Sequence, residues 1–461
     1  MADKTEYQAQ LFKNRLSKKY RELRKWARKN RISCYRVYDK DIPEIPVAVD
    51  FYEFLPADVC STIDCARFMG EQNQRIANND PLIDKECAER RYVVLFLYER
   101  PYEKDLSEER NWLMAMKMEC AKVFSVLETH IIVKERKRQK GENQYEKTTG
   151  NAVIKGVVQE QGQLFNVDLT TYLDSFLFFD HRPLRSIVRD NSSGKRVLNL
   201  FCYTASFSVY AASGNARFVE SVDLSNTYLN VAKDNMALNG FCDSSRYVYN
   251  RGDVFAILDE KIKKLNNSSE SEREKLLFDI IVLDPPTFSN SKMSDNMLDI
   301  NRQWPLLVNK CVSLLAKKGV LYFSTNSRRL SFDESYVVKA INGGMAVFCE
   351  DITSKTIPED FKNTKCHRCW QIFVSQKKCE FADGFVERKV EFEKTEKNKK
   401  DEFHKKEFHK KEFHKSGFFR GGERRTNRLS DLDKDVDSEK DSCVAGNANI
   451  FLKEKSKKKY I

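Results

Sequence analysis

Leu283-Asp284-Pro285-Pro286-Thr287-Phe288 follows directly on the apolar run from Phe278 to Val282, which only Asp279 interrupts. A short apolar run bounded by prolines reads as a buried strand that ends in a rigid loop. Each proline lacks an N–H and fixes φ near the value that loops favour, so Asp284 is held at the mouth of a sheet rather than inside a helix. In an open α/β sheet, ligands bind at that mouth. Alone, the hexapeptide is equally a plain strand-to-loop turn, and its surroundings decide between the two.

Those surroundings alternate. Starting near Tyr172-Leu173-Asp174, strands are expected at Arg196 to Leu200, Phe218 to Val222, Tyr247 to Asn250 and Gly319 to Thr325. Helices are expected at about Phe207 to Ala212, Tyr228 to Leu238 and Leu306 to Leu315, with a solvated loop or short helix around Asn266 to Lys275. Strands alternating with helices imply a parallel sheet. The apolar runs Met345 to Cys349 and Cys369 to Val374 close it, giving roughly seven strands in one open α/β, Rossmann-like sheet.

Within this frame Asn199-Leu200-Phe201-Cys202-Tyr203-Thr204-Ala205 leaves the first strand, and Asp223 ends the second. A carboxylate there accepts from ribose hydroxyls. Asp253, after the third strand, stands where a carboxylate receives an adenine amino group, so a nucleoside cofactor lies across these loops. The loop is not Gly-x-Gly-x-x-Gly, which disfavours NAD and nucleoside triphosphates.

Ahead of this part, Phe12 to Asn30 carries Leu16, Tyr20, Leu23 and Ala27 at helical spacing, with Lys18, Lys19, Arg21, Arg24, Lys25, Arg28 and Lys29 between them. So dense a run of one sign points to phosphate contact. Ile45 to Phe51 and Arg91 to Tyr98 read as strands, and Glu108 to Leu127 as a helix. Ile131 to Gly141 runs from a strand into a cationic turn, with Tyr145 near for base stacking. Three parts are expected: residues 1–170, a mixed α/β domain that grips RNA; 171–378, the cofactor domain; and 379–461, a low-complexity charged tail with Glu-Phe-His-Lys-Lys repeats at Glu402, Glu407 and Glu412.

Together these stretches resemble class I S-adenosylmethionine-dependent methyltransferases, and within them the bacterial 23S ribosomal RNA guanine-N7 methyltransferases, often the C-terminal half of a fused enzyme. The stretches that carry the likeness are Tyr35-Arg36-Val37-Tyr38-Asp39, Arg138-Gln139-Lys140-Gly141, Phe179-Asp180-His181-Arg182, Asn199-Leu200-Phe201, Ser221-Val222-Asp223-Leu224-Ser225, 284–292 and His367-Arg368-Cys369-Trp370. The resemblance implies S-adenosylmethionine as cofactor. It puts Asn199, Phe201, Tyr203 and Thr204 beneath the cofactor, Asp223 and Leu224 at the ribose, Asp253 at the adenine, and Asp180 and Arg182 around the carboxylate end or in a local ion pair. Asp284, Pro285 and Pro286 then face the methyl donor and target base, with Phe288 stacking that base or packed in the core. Ala205 and Phe176 stand where the family tends to have glycine, which crowds the cofactor's methionine end. The implied partners are 23S ribosomal RNA or a pre-ribosomal particle, and a separate methyltransferase supplying the other half of the fused enzyme.

Guanine N7 attacks a methyl group without losing a proton, so it needs no general base, whereas C5 of cytosine needs a thiolate. The Asp284 loop has Thr287 in place of cysteine, and Cys202 is expected to be a packed thiol. Exocyclic guanine N2 and cytosine C5 remain alternatives, as does a non-enzymatic RNA-binding ribosome-assembly factor. Cys366-His367-Arg368-Cys369 is a lone Cys-x-x-Cys, so no metal is expected, and His181 and His130 are expected to be structural or at the surface. The net charge of +12 suits a polyanionic partner, and 13 scattered cysteines suit a reduced, cytoplasmic protein with no membrane association.

Overall fold

The basic N-terminal segment forms one long helix, α1 (Lys4–Lys29), whose buried stripe is Ala9, Phe12, Leu16, Leu23 and Ala27. The computed structural model of the chain describes residues 4–99, 105–136, 152–289, 298–341, 344–362 and 364–378. The Arg138 to Gly141 turn, Tyr145, residues 290–292 and the tail with its Glu-Phe-His-Lys-Lys repeats lie outside these residues.

A four-stranded sheet follows, β1 (Cys34–Asp39), β2 (Val47–Glu53), β3 (Arg91–Tyr98) and β4 (Ile131–Arg136), in that spatial order. Its first two pairings are antiparallel and the last is parallel. Between β2 and β3 lie α2 (Thr62–Ala77) and α3 (Ile83–Glu89), and α4 (Leu106–Phe124) joins β3 to β4. Side chains alternate across the sheet. Val47, Val49, Phe51, Val93 and Leu95 pack on α1 and on Trp112, Met116 and Phe124 of α4. The other face, Ala48, Tyr52, Val94 and Phe96, packs against Val158 and Phe165 of the antiparallel hairpin β5 (Lys155–Glu160) and β6 (Gln163–Asp168).

Residues 182–378 build the large sheet: α5 (Arg182–Asp190), β7 (Arg196–Leu200), α6 (Ser206–Ser213), β8 (Phe218–Asp223), α7 (Asn226–Leu238), β9 (Tyr247–Arg251), α8 (Val254–Asn266), α9 (Glu270–Leu276) and β10 (Phe278–Leu283). After the two-residue ribbon β11 (Phe288–Ser289) and β12 (Leu298–Asp299) come α10 (Ile300–Ser313), β13 (Leu315–Thr325), β14 (Ala340–Ile341), β15 (Met345–Asp351), α11 (Thr353–Thr356) and β16 (Arg368–Lys378). The strand order is β14-β15-β16-β13-β10-β7-β8-β9, eight strands rather than about seven, because β14 is only two residues long and leaves no pattern in the sequence. β13, β10, β7, β8 and β9 run parallel, and β16 lies antiparallel on β13.

The near-continuous apolar composition of β10 is that of a central parallel strand covered on both faces. Ile280 and Val282 point to the side of α5 and α6, and Ile281 and Leu283 to the side of α8 and α10. The interrupting Asp279 accepts the Arg196 backbone N–H at 2.8 Å, tying β10 to the start of β7. Helix α10 starts at Ile300, six residues before the expected Leu306, and runs through Pro305. A proline this near the start forgoes one bond, to the Asn301 carbonyl. Among the described residues no helix is long and apolar enough to cross a membrane.

Candidate active site

The chain leaves β7 toward β8 and β9 on one side and returns as β10 on the other, so its direction reverses between β7 and β10. That reversal opens a crevice beyond the carboxyl ends of the strands. Register pairs Leu283 with Leu200 on one side and with Phe323 on the other. The residues one step on, Asp284, Phe201 and Ser324, therefore emerge at one level.

The Ser324 hydroxyl donates to Asp284 Oδ1. His181 Nε2 lies 3.4 Å from the same oxygen and 3.0 Å from Ser324 Oγ. His181 Nδ1 is 3.2 Å from Asp180 Oδ1, whose other oxygen is 3.3 Å from His367 Nδ1. This series of hydrogen bonds ends at Thr356, whose hydroxyl is 2.9 Å from His367 Nε2, and the two imidazoles stack at 4.4 Å. Burial pulls the His181 pKa down, but the Asp284 and Asp180 carboxylates outweigh it and hold it up at about 10. Burial raises the Asp284 pKa, and the His181 charge more than offsets that, leaving it lowered; Asp180 is held well below its usual value in the same balance. For His367, burial and the neighbouring His181 charge both push the pKa down. The site thus holds two carboxylates, one imidazolium and one neutral imidazole.

His181 was expected to be structural or at the surface; it is buried, and it contacts Asp284. No sequence periodicity joins residues so far apart. Asp180, His181 and His367 also offer ligand-type atoms within 4.8 Å of one another, a grouping that the lone Cys-x-x-Cys did not suggest. Their nitrogens are all engaged in the hydrogen bonds just described.

Arg182 requires a correction. Its guanidinium is buried and turned toward the N-terminal sheet, donating to Glu160 Oε2 and Asp360 Oδ1 at 2.9 Å each and to the Cys34 carbonyl at 3.1 Å. Arg182 is thus ion-paired, though with Glu160 and Asp360 from distant segments rather than locally with Asp180, and its buried guanidinium is turned away from the crevice. Asn199 is also buried, its amide donating to Ser208 on α6, so it fixes the start of the loop rather than lining the crevice. Thr204 is buried too, donating to the Phe176 carbonyl. Lys134, on the strand that leads into the cationic turn, faces inward: burial lowers its pKa to about 8, and the ammonium donates to the Tyr172 and Leu173 carbonyls.

The loop after β7 carries Phe201, Tyr203 and Ala205 at φ 55°, 52° and 61°, left-handed at every second residue. Such strain in non-glycine residues concentrates at functional loops. Phe176 is left-handed as well, at φ 71°, and its ring is buried among Tyr172, Tyr203 and Tyr228. The Ala205 methyl is buried in the loop. Asp223, at the end of β8, accepts the Tyr203 and Ser225 backbone N–H groups at 2.9 and 2.8 Å, beside the half-exposed Leu224. Asp253 caps α8 through the Ala256 N–H, which engages one oxygen of its carboxylate. An acid at the end of β8, a strained loop beneath it and a second acid after β9 fit a nucleoside with a linear tail. Pro285 is buried and Pro286 half-buried, while Thr287 donates to Asn326 at 2.7 Å. Phe288 is 51% exposed, so it is no core residue, and Phe178 beside Tyr203 is 44% exposed. Burial pushes the Cys202 and Cys369 thiols well up and Cys366 to about 12.

Comparison with known proteins agrees with this geometry. The family model for S-adenosylmethionine-dependent methyltransferases matches residues 83–329. A Neisseria meningitidis protein named ribosomal RNA large subunit methyltransferase K is 40% identical over 365 residues, 78% of this chain and 86% of its own. Ribosomal RNA large subunit methyltransferase K/L of Pseudomonas fluorescens is 37% identical, and the match spans 79% of this chain but only 40% of that longer protein. Among solved structures, a Streptococcus mutans protein described as an S-adenosylmethionine-dependent methyltransferase superposes with a TM-score of 0.52 at 19% identity, covering 79% of this chain and 81% of that one. Another, crystallised with S-adenosylhomocysteine, reaches 0.55 over 79% and 82%. At this identity the two structures establish the fold.

Proposed function

The chain belongs to the S-adenosylmethionine-dependent methyltransferases, and on that premise we propose that it methylates N7 of a guanine in 23S ribosomal RNA in the cytoplasm, with residues 1–170 gripping the RNA. The support comes from its likeness to large-subunit ribosomal RNA methyltransferases and, above all, from one feature of the crevice. Among the described residues around Asp284 there is no thiolate, and the one unengaged basic group, the Asp284 carboxylate, is a weak base. Asp284 is held ionised at a low pKa, His181 is protonated, and the neighbouring thiols are pushed up. An acceptor whose lone pair needs no deprotonation suits such a site, and guanine N7 is one.

The bound cofactor supplies an electrophilic sulfonium methyl group. The Phe201 to Ala205 loop, Asp223, Leu224 and Asp253 would hold its nucleoside and methionine parts. Phe288, exposed beyond the two prolines, would stack the target base in line with the methyl group. Methylated N7 leaves the purine cationic, and the Asp284 carboxylate would stabilise that charge as it develops. The match spans about two-fifths of the length of the K/L relatives, and a separate methyltransferase is the partner proposed alongside the RNA.

The test is transfer of labelled methyl to deproteinised 23S RNA, followed by nucleoside digestion and mass spectrometry. We expect 7-methylguanosine, reduced on the order of a hundredfold or more in Asp284→Ala. Label in 2-methylguanosine or 5-methylcytidine would overturn the acceptor. RNA binding with no label under any condition would instead make the protein a non-enzymatic assembly factor.

A further inference from the structure

We infer that His181 is a positioning residue: braced by Asp180, it clamps Asp284 by one carboxylate oxygen and so presents the other to the acceptor base. The inference rests on the reading of Asp284 as the carboxylate that faces that base. Both described contacts to Asp284, from Ser324 and His181, fall on Oδ1, and Oδ2 takes none among the described residues. Pro285 restricts the backbone next to Asp284, but rotation of the carboxylate about its own bonds is governed by what holds Oδ1.

His181 is itself held on every side. The Phe207 ring of α6 meets its imidazole edge-on at 5.9 Å, and His367, from the segment entering β16, stacks on its face. Asp180 fixes Nδ1, and Asp180 is fixed in turn by His367, which ends on the buried hydroxyl of Thr356. A ring so enclosed has one orientation, with Nε2 3.0 Å from Ser324 Oγ and 3.4 Å from the Asp284 oxygen to which Ser324 itself donates.

Charge adds a reason for the arrangement. The groups facing His181 are Asp180 on its own segment, Asp284 after β10, Ser324 on β13, His367 before β16 and the uncharged Phe207. The Asp180 charge acts to raise the Asp284 pKa, and the imidazolium between them cancels that repulsion. Without it Asp284 would be freer both to protonate and to turn.

The test uses the full chain as wild type, His181→Gln, Asp180→Asn, Asp284→Asn and His181→Gln/Asp284→Asn. Readouts are kcat, KM for RNA, cofactor Kd by calorimetry, thermal melting, and histidine-selective NMR titration. Losing a charge-assisted clamp lowers kcat in His181→Gln by roughly ten- to a hundredfold, with cofactor Kd unchanged. His181 titrates near pH 10 by NMR in the wild type, and at lower pH in Asp180→Asn and in Asp284→Asn. The wild-type rate declines through that range, and His181→Gln lacks the decline. The double variant is no slower than Asp284→Asn alone, since His181 acts through Asp284. A wild-type kcat in His181→Gln, additive losses, or a His181 that titrates near its ordinary value overturns the inference and leaves the role of Asp284 standing. Wild-type turnover by Asp284→Asn overturns that role itself. Should His181→Gln melt too low to assay, Asp180→Asn and the NMR titration carry the same decision.

Discussion

Arg182 shows how one side chain can be read correctly as important and wrongly as to its task. With Arg185, Glu160 and Asp360 it forms a charge cluster in which all four side chains are at most 1% exposed. Removing one partner from such a cluster is far costlier than replacing the cluster whole, because a buried charge is left uncompensated. Arg182→Ala is therefore expected to lose roughly 3–5 kcal/mol of stability. Arg182→Lys should recover only part, since an ammonium does not reproduce the fork that spans Glu160 and Asp360. The cofactor Kd of the folded fraction should not change. Denaturant unfolding beside calorimetric titration checks both; unchanged stability with weakened cofactor binding would return Arg182 to the carboxylate role that the sequence suggested. The same residue scale explains why His181 escaped notice: an ion pair between distant segments has no local signature, whereas Asp284 is announced by the prolines that follow it.

Among elements, β7, β8, β9, β10 and α6 were legible as short, largely apolar runs bounded by turn residues, and α7 by the stripe of Leu229, Ala232 and Met236. β14 was not, being shorter than any pattern, and the start of α10 was hidden behind Pro305. Less legible still was how closely elements approach. Gly214, after α6, carries its hydrogen where a Cβ would lie 2.0 Å from the Arg189 carbonyl oxygen of α5. That approach matters to function, since His181 caps α5 and the strained Phe201 to Ala205 loop leads into α6. Because the obstacle is backbone, Gly214→Ala must push the two helices apart, at an expected cost of about 1–3 kcal/mol. A lowered melting temperature together with a weakened cofactor Kd is the outcome to look for. Instability alone, with cofactor affinity intact in the folded fraction, would mean that α5 and α6 tolerate separation without disturbing the crevice.

For the whole molecule, a net charge of +12 says only that an anion is welcome, and the structure narrows where. Dense cations on α1 looked self-repelling in the sequence, yet Lys13, Arg15, Lys19 and Arg24 meet Glu119, Asp41 and Asp84 from other elements. Lys18, Arg21, Lys25, Arg28 and Lys29 remain exposed, and an open cleft of about 480 Å³ is lined by Tyr20, Arg21, Arg24, Lys25 and Arg28. Exposed cations along an open cleft suit a phosphate backbone. If this face grips RNA, changing Arg21, Lys25 and Arg28 together to Gln should lower the slope of log Kd against log salt by about 2–3, which is the release of some three counterions. Cofactor Kd and kcat at saturating RNA should stay at wild-type values, since none of the three contacts the Asp284 crevice. An unchanged slope would place the RNA elsewhere. A fall in kcat at saturation would mean instead that this face orients the RNA as well as holding it, because only a contact that differs between bound substrate and transition state lowers that constant.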